Sequence, residues 1–158
     1  MTPSEPSAAI EIRTFFPVPP ERLWRAIADM AEFSRWFGVE TADSFSPGAR
    51  LRLVSINEGC RGEVFFITVE EMIAGRRLSW HWHPGLAQPG VDYSIQPMTL
   101  VTFDLEEAPG GARLTLVESG FDRIALDRRA ALVTENEAGW RWQMESLTRY
   151  LAHQIARA

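Results

Sequence analysis

The segment 134–156, TENEAGWRWQMESLTRYLAHQIA, sets the terms for the rest of the chain. At 100° per residue, Trp140, Met144, Leu147, Leu151 and Ile155 fall in one narrow stripe, and Arg141, Glu145 and Arg149 fall on the other side. An amphipathic helix of this kind is held mainly by whatever packs on its apolar face. Thr134 with Glu137 has the form of a capping box and marks the expected start, and Glu145 with Arg149 has the spacing of an i,i+4 ion pair. Upstream of about residue 120 the patterns are mostly those of strands. The expected architecture is therefore α+β, a curved antiparallel sheet of about six strands wrapped around a long C-terminal helix.

The upstream chain supplies that sheet. AIEIRTFF alternates, with Ile10 and Ile12 on one face and Glu11 and Arg13 on the other. Two short helices follow this first strand. The first carries Pro20 in its opening turn and Leu23, Trp24, Ile27 and Ala31 at helical spacing; the second carries Phe33, Trp36 and Phe37 and ends at Gly38. ARLRLVSI alternates Leu51 and Leu53 with arginines, and RGEVFFITVEEM is apolar on both sides. LSWHWHP turns Leu78, Trp80 and Trp82 one way and Ser79, His81 and His83 the other. MTLVTFDLEE and ARLTLVESGF form a hairpin around APGG, in which Val101, Phe103 and Leu105 answer Leu114 and Leu116. DRIALDRRAALV is compatible with helix and leads into the final one.

The 158 residues, 46% of them hydrophobic, read as a single domain over 1–158 with a frayed Pro/Ser-rich start at 1–7. A net charge of -5 argues against a surface that tracks phosphates, so no nucleic-acid partner is expected. All 16 basic residues are arginine, which excludes Schiff-base chemistry and a P-loop lysine. No run approaches the roughly 18 apolar residues of a membrane span, and the start of the chain lacks the pattern of a signal peptide. The expectation is a cytoplasmic protein with no membrane partner, and the single Cys60 agrees with a reducing compartment.

The segments ERLWRAIADMAEFSRWF, SPGARLRL, EEMIAGRRLSWHWHPG, TLVTFDLEE, GARLTLVESGF and NEAGW together resemble the helix-grip fold of the START/SRPBCC superfamily. The closer likeness is to the branch named after the activator of the heat-shock protein 90 ATPase. The resemblance spans nearly the whole chain and implies the same sheet-on-helix architecture. Similar domains include lipid carriers, hormone receptors, aromatase/cyclases and chaperone regulators, so the resemblance implies a fold more narrowly than a function.

Several groups could carry chemistry. His81 and His83 point to one side of a strand as a metal pair would, but a third ligand is wanting, and the reading taken is two solvent-facing imidazoles on the outer face; no metal or cofactor is assigned. Cys60 follows Gly59 in a turn, where its thiol would be exposed. No nucleophile-elbow, zinc-protease or dinucleotide signature occurs.

The aromatic set is more telling. Trp24, Trp36, Phe37, Phe65, Trp80, Trp82, Phe103 and Trp140 are expected to face inward, either as a solid core or as the walls of a cavity between sheet and helix, capped by the loop 84–97. With Met144 and Glu118 they make up the candidate ligand-binding set. Glu118 shares the parity of Leu114 and Leu116 and should face inward, unless the strand end near Gly120 turns it to solvent; an inward carboxylate needs a partner such as Arg61 or a ligand's polar end. Trp142, opposite the core stripe, calls for cover by a loop or by a second copy in a homodimer. The leading functional expectation is a carrier or sensor of a small hydrophobic molecule. The alternatives are a cyclase- or hydrolase-type enzyme using polar groups of the same cavity, or a chaperone-interacting module.

Overall fold

The computed structural model describes residues 9–85 and 89–156. In chain order the elements are β1 (Ala9–Phe16), α1 (Pro20–Ala28), α2 (Met30–Phe37), β2 (Val39–Glu40), β3 (Arg50–Ser55), β4 (Val64–Ile73), β5 (Arg77–Trp82), β6 (Thr99–Ala108), β7 (Gly111–Ser119) and α3 (Leu126–Ala156). Short 3-10 turns at Tyr93–Ile95 and Phe121–Arg123 join the later elements. Among the described residues the strands form one antiparallel sheet in the order β1-β7-β6-β5-β4-β3-β2. The alternation read from the sequence is the alternation of burial: Ile10, Ile12, Leu51, Leu53, Leu78, Trp80, Val101, Phe103, Leu114 and Leu116 all turn into the core. The register of the long hairpin sets Leu105 opposite Leu114 and Phe103 opposite Leu116, as the pattern requires. The two-residue β2, too short to show a period, brings the sheet to seven strands.

β4 reads as apolar on both faces. Its inner face carries the buried Ile67 and Val69, whereas Phe66 lies 40% exposed on the outer face with the Arg50 guanidinium 3.9 Å from its ring centroid. A cation and its aliphatic stem thus cover a ring that no further layer covers.

Helix α3 starts earlier than the sequence suggests. It spans 31 residues, so Thr134 lies exposed inside it and the Thr134/Glu137 capping box does not exist. The reason is that the inward stripe continues upstream of Trp140 through Asn136 and the buried Leu132, at i-4 and i-8, so packing carries the helix past the apparent cap. The ion pair on this helix is Arg141 with Glu137, at 3.9 Å, rather than Glu145 with Arg149. Trp140, Met144, Leu147 and Leu151 are buried as expected. The expectations for residues 1 to 7 and for the side chain of Ile155 fall outside the described residues.

Between α1 and α2 the chain breaks at Asp29, whose carboxylate accepts the Ala31 N–H at 3.3 Å. The break resets the helical phase, so Met30 is buried and Ala31, expected in the apolar stripe, is exposed. Gly38 ends α2 at φ 81°, a conformation that favours glycine, and gives its N–H to the Ser34 carbonyl.

The same helices are clamped to α3 through one carboxylate. Glu32 receives Arg22 at 2.8 Å, Arg25 at 2.9 Å and the Tyr150 hydroxyl at 2.7 Å. Burial works to raise the Glu32 pKa, but the hydrogen bonds from Tyr150, Arg22 and Arg25 together outweigh it and hold the carboxyl below its ordinary value. A folded pKa below the unfolded one stabilises at pH values above the unfolded pKa, and that stability is lost as pH falls through the folded pKa. Glu32→Gln should therefore lower stability at pH 7 by roughly 1–2 kcal/mol, allowing for partial solvent screening. Urea unfolding of both proteins between pH 7 and pH 3 should show the two curves converging on the acid side; parallel curves would exclude this role.

Candidate functional site

The inner face of the sheet ends in a polar row. Trp82 on β5 pairs with Thr99 on β6, and Glu118 on β7 pairs with Val101 of β6 on one side and Ile10 of β1 on the other. All three side chains turn inward by parity. Above them α3 presents Asn136 and Trp140 four residues apart, hence on one face.

Glu118 is fully buried and its two oxygens accept from four side chains. The Trp140 indole N–H gives to Oε1 at 2.8 Å, the Trp82 indole N–H to Oε2 at 2.9 Å and the Thr99 hydroxyl to Oε2 at 2.6 Å. Asn136 Nδ2 spans both, at 3.0 and 3.2 Å. Four side chains from β5, β6 and α3 thus meet on one carboxylate, which satisfies a group that would otherwise be costly to bury. The predicted inward direction of Glu118 holds, and the alternative of a strand end turned to solvent is excluded. Arg61, offered as its partner, is instead exposed.

In front of this hub lies a cleft of about 500 Å³ between the end of the sheet and the first half of α3. Phe65, Trp82 and Trp140 wall it, with ring centroids 5.9 Å apart for Phe65 and Trp82 and 5.7 Å for Trp82 and Trp140. Phe37 lies behind Trp140 at 6.0 Å. The turn between β3 and β4 supplies Asn57, Glu58, Cys60 and Glu63, and α3 supplies Glu135, Gly139, Trp142 and Gln143. Asn57 and Gln143 both donate to the Phe37 carbonyl at 3.0 Å, tying the turn and α3 to the end of α2. A shallower groove of about 480 Å³ runs between β1 and α3, lined by Ile12, Thr14, Met144 and several charged side chains. It lacks the aromatic walls.

The candidate ligand-binding residues divide accordingly. Phe37, Phe65, Trp82 and Trp140 line the cleft, and Glu118 sits behind the two indoles. Trp36, Trp80 and Phe103 are buried in the core beside it; Trp80 packs on Phe103 at 5.2 Å and on Trp82 at 5.7 Å. Trp24 is half-buried at the edge of the core, and Met144 faces the other groove. Of the described residues of the loop 84–97, Gly85 lines the cleft; the expectation for 86–88 falls outside the described residues.

Two expectations need correcting. β5 stops at Trp82, so His83 leaves the strand, lines the cleft and bonds the Gln96 carbonyl at 3.1 Å, while His81 stays on the outer face 3.4 Å from Glu70. They do not form a pair. Cys60 is partly buried, with its sulfur 3.0 Å from the Ser55 hydroxyl, because the turn folds back over the end of β3. Trp142 is 46% exposed at the rim. Asn136 and Gln143 were missed, although the i-4 and i+3 spacing from Trp140 places both on the inward stripe.

A curved antiparallel sheet closed over one long helix, with a cleft between them, defines a helix-grip domain. Residues 17–152 match the family described as Activator of Hsp90 ATPase homolog 1-like protein, and the chain belongs to that family. No curated protein matches the chain. Among solved structures it is similar to protein MLL2253 from Mesorhizobium loti, at 25% identity over 92% of this chain and 97% of that one, with a TM-score of 0.71. It is similar also to DynU16, a protein of the dynemicin biosynthetic locus, at 24% identity and a TM-score of 0.71; the match covers 93% of this chain but 48% of that one. The Aha1 dimer from Colwellia psychrerythraea is 15% identical over 90% of this chain and 94% of that one, with a TM-score of 0.67. The last two likenesses are of fold. No described helix is long and apolar enough to cross a membrane.

Proposed function

We propose that the chain binds a small, largely apolar molecule in the cleft between the sheet and α3, as a carrier or sensor. The observation that carries this reading is an aromatic wall whose orientation is fixed from behind. The Trp82 and Trp140 indoles are each held by a hydrogen bond to the buried Glu118, so the rings stand ready before a ligand arrives. The cleft volume suits a molecule of one to three fused rings. Among the described residues that line the cleft there is no arginine, so no acid and arginine pair converges there.

Gly139 offers a direct test. It lines the cleft on a helix, and a Cβ placed there would meet nothing within 4 Å, so a leucine would enter the cleft without backbone strain. Gly139→Leu should also favour the helix by up to about 1 kcal/mol. Titration with the neutral dye Nile red should perturb tryptophan emission saturably in the native protein, and Gly139→Leu should weaken that binding at least tenfold. Binding unchanged in this variant would place the dye elsewhere and overturn the reading.

A further inference from the structure

The cleft is poor in free donors and rich in free acceptors. Apart from Trp142 at the rim, its indole and amide donors are turned to protein acceptors: Trp82, Trp140 and Asn136 give to Glu118, and Asn57 and Gln143 give to the Phe37 carbonyl. That carbonyl can only accept, which fixes the Gln143 amide with Nε2 toward it. Gln143 Oε1 is consequently a buried acceptor with no hydrogen-bond partner, on a side chain only 8% exposed that lines the cleft. A carbonyl oxygen so placed offers no donor to an anion and adds to the negative potential around the cleft.

The charges at the rim have one sign. Glu58, Glu63 and Glu135 line the cleft, all three exposed, and no ion pair joins any of them to another described residue. Arg61 lies on the same turn but is not part of the lining. Aromatic faces attract cations through their quadrupole, and three unpaired carboxylates add to that attraction while repelling anions. Fatty acids and other carboxylate amphiphiles meet the wrong charge here.

We infer that the cleft selects a cationic amphiphile: an aromatic body stacked within the walls of Phe65, Trp82 and Trp140, bearing a protonated amine. The ammonium N–H groups meet the rim carboxylates. This rests on the reading of the cleft as a ligand site and adds the sign of the ligand's charge. The two therefore have to fail separately.

Calorimetric titration of three probes of one size separates them: 2-naphthylmethylamine, which is protonated at pH 7, the neutral 2-naphthalenemethanol and the anionic 2-naphthoate. The amine should bind at least tenfold more tightly than the alcohol, and the naphthoate most weakly. The preference should shrink as salt is raised, because the rim charges are exposed. In the Glu58→Gln, Glu63→Gln, Glu135→Gln variant the amine and alcohol should come within twofold of each other. A control of equal charge change, Glu11→Gln, Glu106→Gln, Glu107→Gln, alters exposed residues outside the cleft and should keep the preference. Equal affinity for all three probes would overturn the charge selection and leave the apolar site standing. A preference that survives the rim variant would trace it to the general acidity of the chain and overturn the inference. Failure of every probe to bind would overturn both readings.

Discussion

Glu118→Leu will cost roughly 3–5 kcal/mol of folding stability, because each buried donor left without an acceptor costs about 1–3 kcal/mol and relief of the buried carboxylate offsets only part of the sum. The leucine has nearly the right volume, so little of this is cavity. The cost arises because the Trp82 and Trp140 indole N–H groups, the Thr99 hydroxyl and the Asn136 amide lose their common acceptor in a region closed to water. Glutamine tests the same idea more gently. It keeps one acceptor oxygen but sets an amide NH2 against either the Trp82 or the Trp140 N–H, whichever way it turns. The Thr99 hydroxyl can rotate and accept; an indole cannot. Glu118→Gln should therefore cost about 1–3 kcal/mol, less than leucine and more than a surface change. Both are read by urea unfolding with tryptophan emission. A leucine variant within about 1 kcal/mol of the native protein would mean that the four donors find other partners.

The hub also shows where the sequence is legible and where it stops. Period-two alternation with Leu114 and Leu116 points Glu118 inward, and it stays inward because β7 keeps its register with both neighbours through Ser119, leaving no bulge to turn it out. Its partners could not be read in the same way. Trp82 lies 36 residues upstream and Trp140 22 downstream, and their convergence depends on sheet curvature and on how far α3 lies over the sheet, neither of which has a local signature. Arg61 failed as a partner because it lies in the turn before β4 begins at Val64, between positive-φ Gly59 and Gly62, where strand parity no longer applies. The helix-grip architecture was legible because both periodicities were present, 2 in the strands and 3.6 in the helix. The cleft was less so. Its walls are aromatic residues of the inward set, but its rim comes from a turn without a period, and the same composition also builds the solid part of the core around Trp80 and Phe33.

Leu147→Ala is the other change expected to be severe, at roughly 2–5 kcal/mol. Leu147 is fully buried and lies mid-way along the inward stripe of α3, between Met144 and Leu151. Removing its isobutyl group forfeits the transfer free energy of the lost carbons, and the strands opposite are held by their ladder hydrogen bonds and cannot close on the space. Met144→Ala supplies the contrast. Met144 is also buried, but it borders the groove between β1 and α3, so truncation there enlarges an existing depression instead of leaving a sealed void. The cavity part of the penalty should then be smaller, and Met144→Ala should cost less than Leu147→Ala. Urea midpoints of the two variants, measured with an unchanged slope, decide the order. If Met144→Ala proves the more destabilising, the tightest part of the grip lies toward β1 and not along the axis of the stripe.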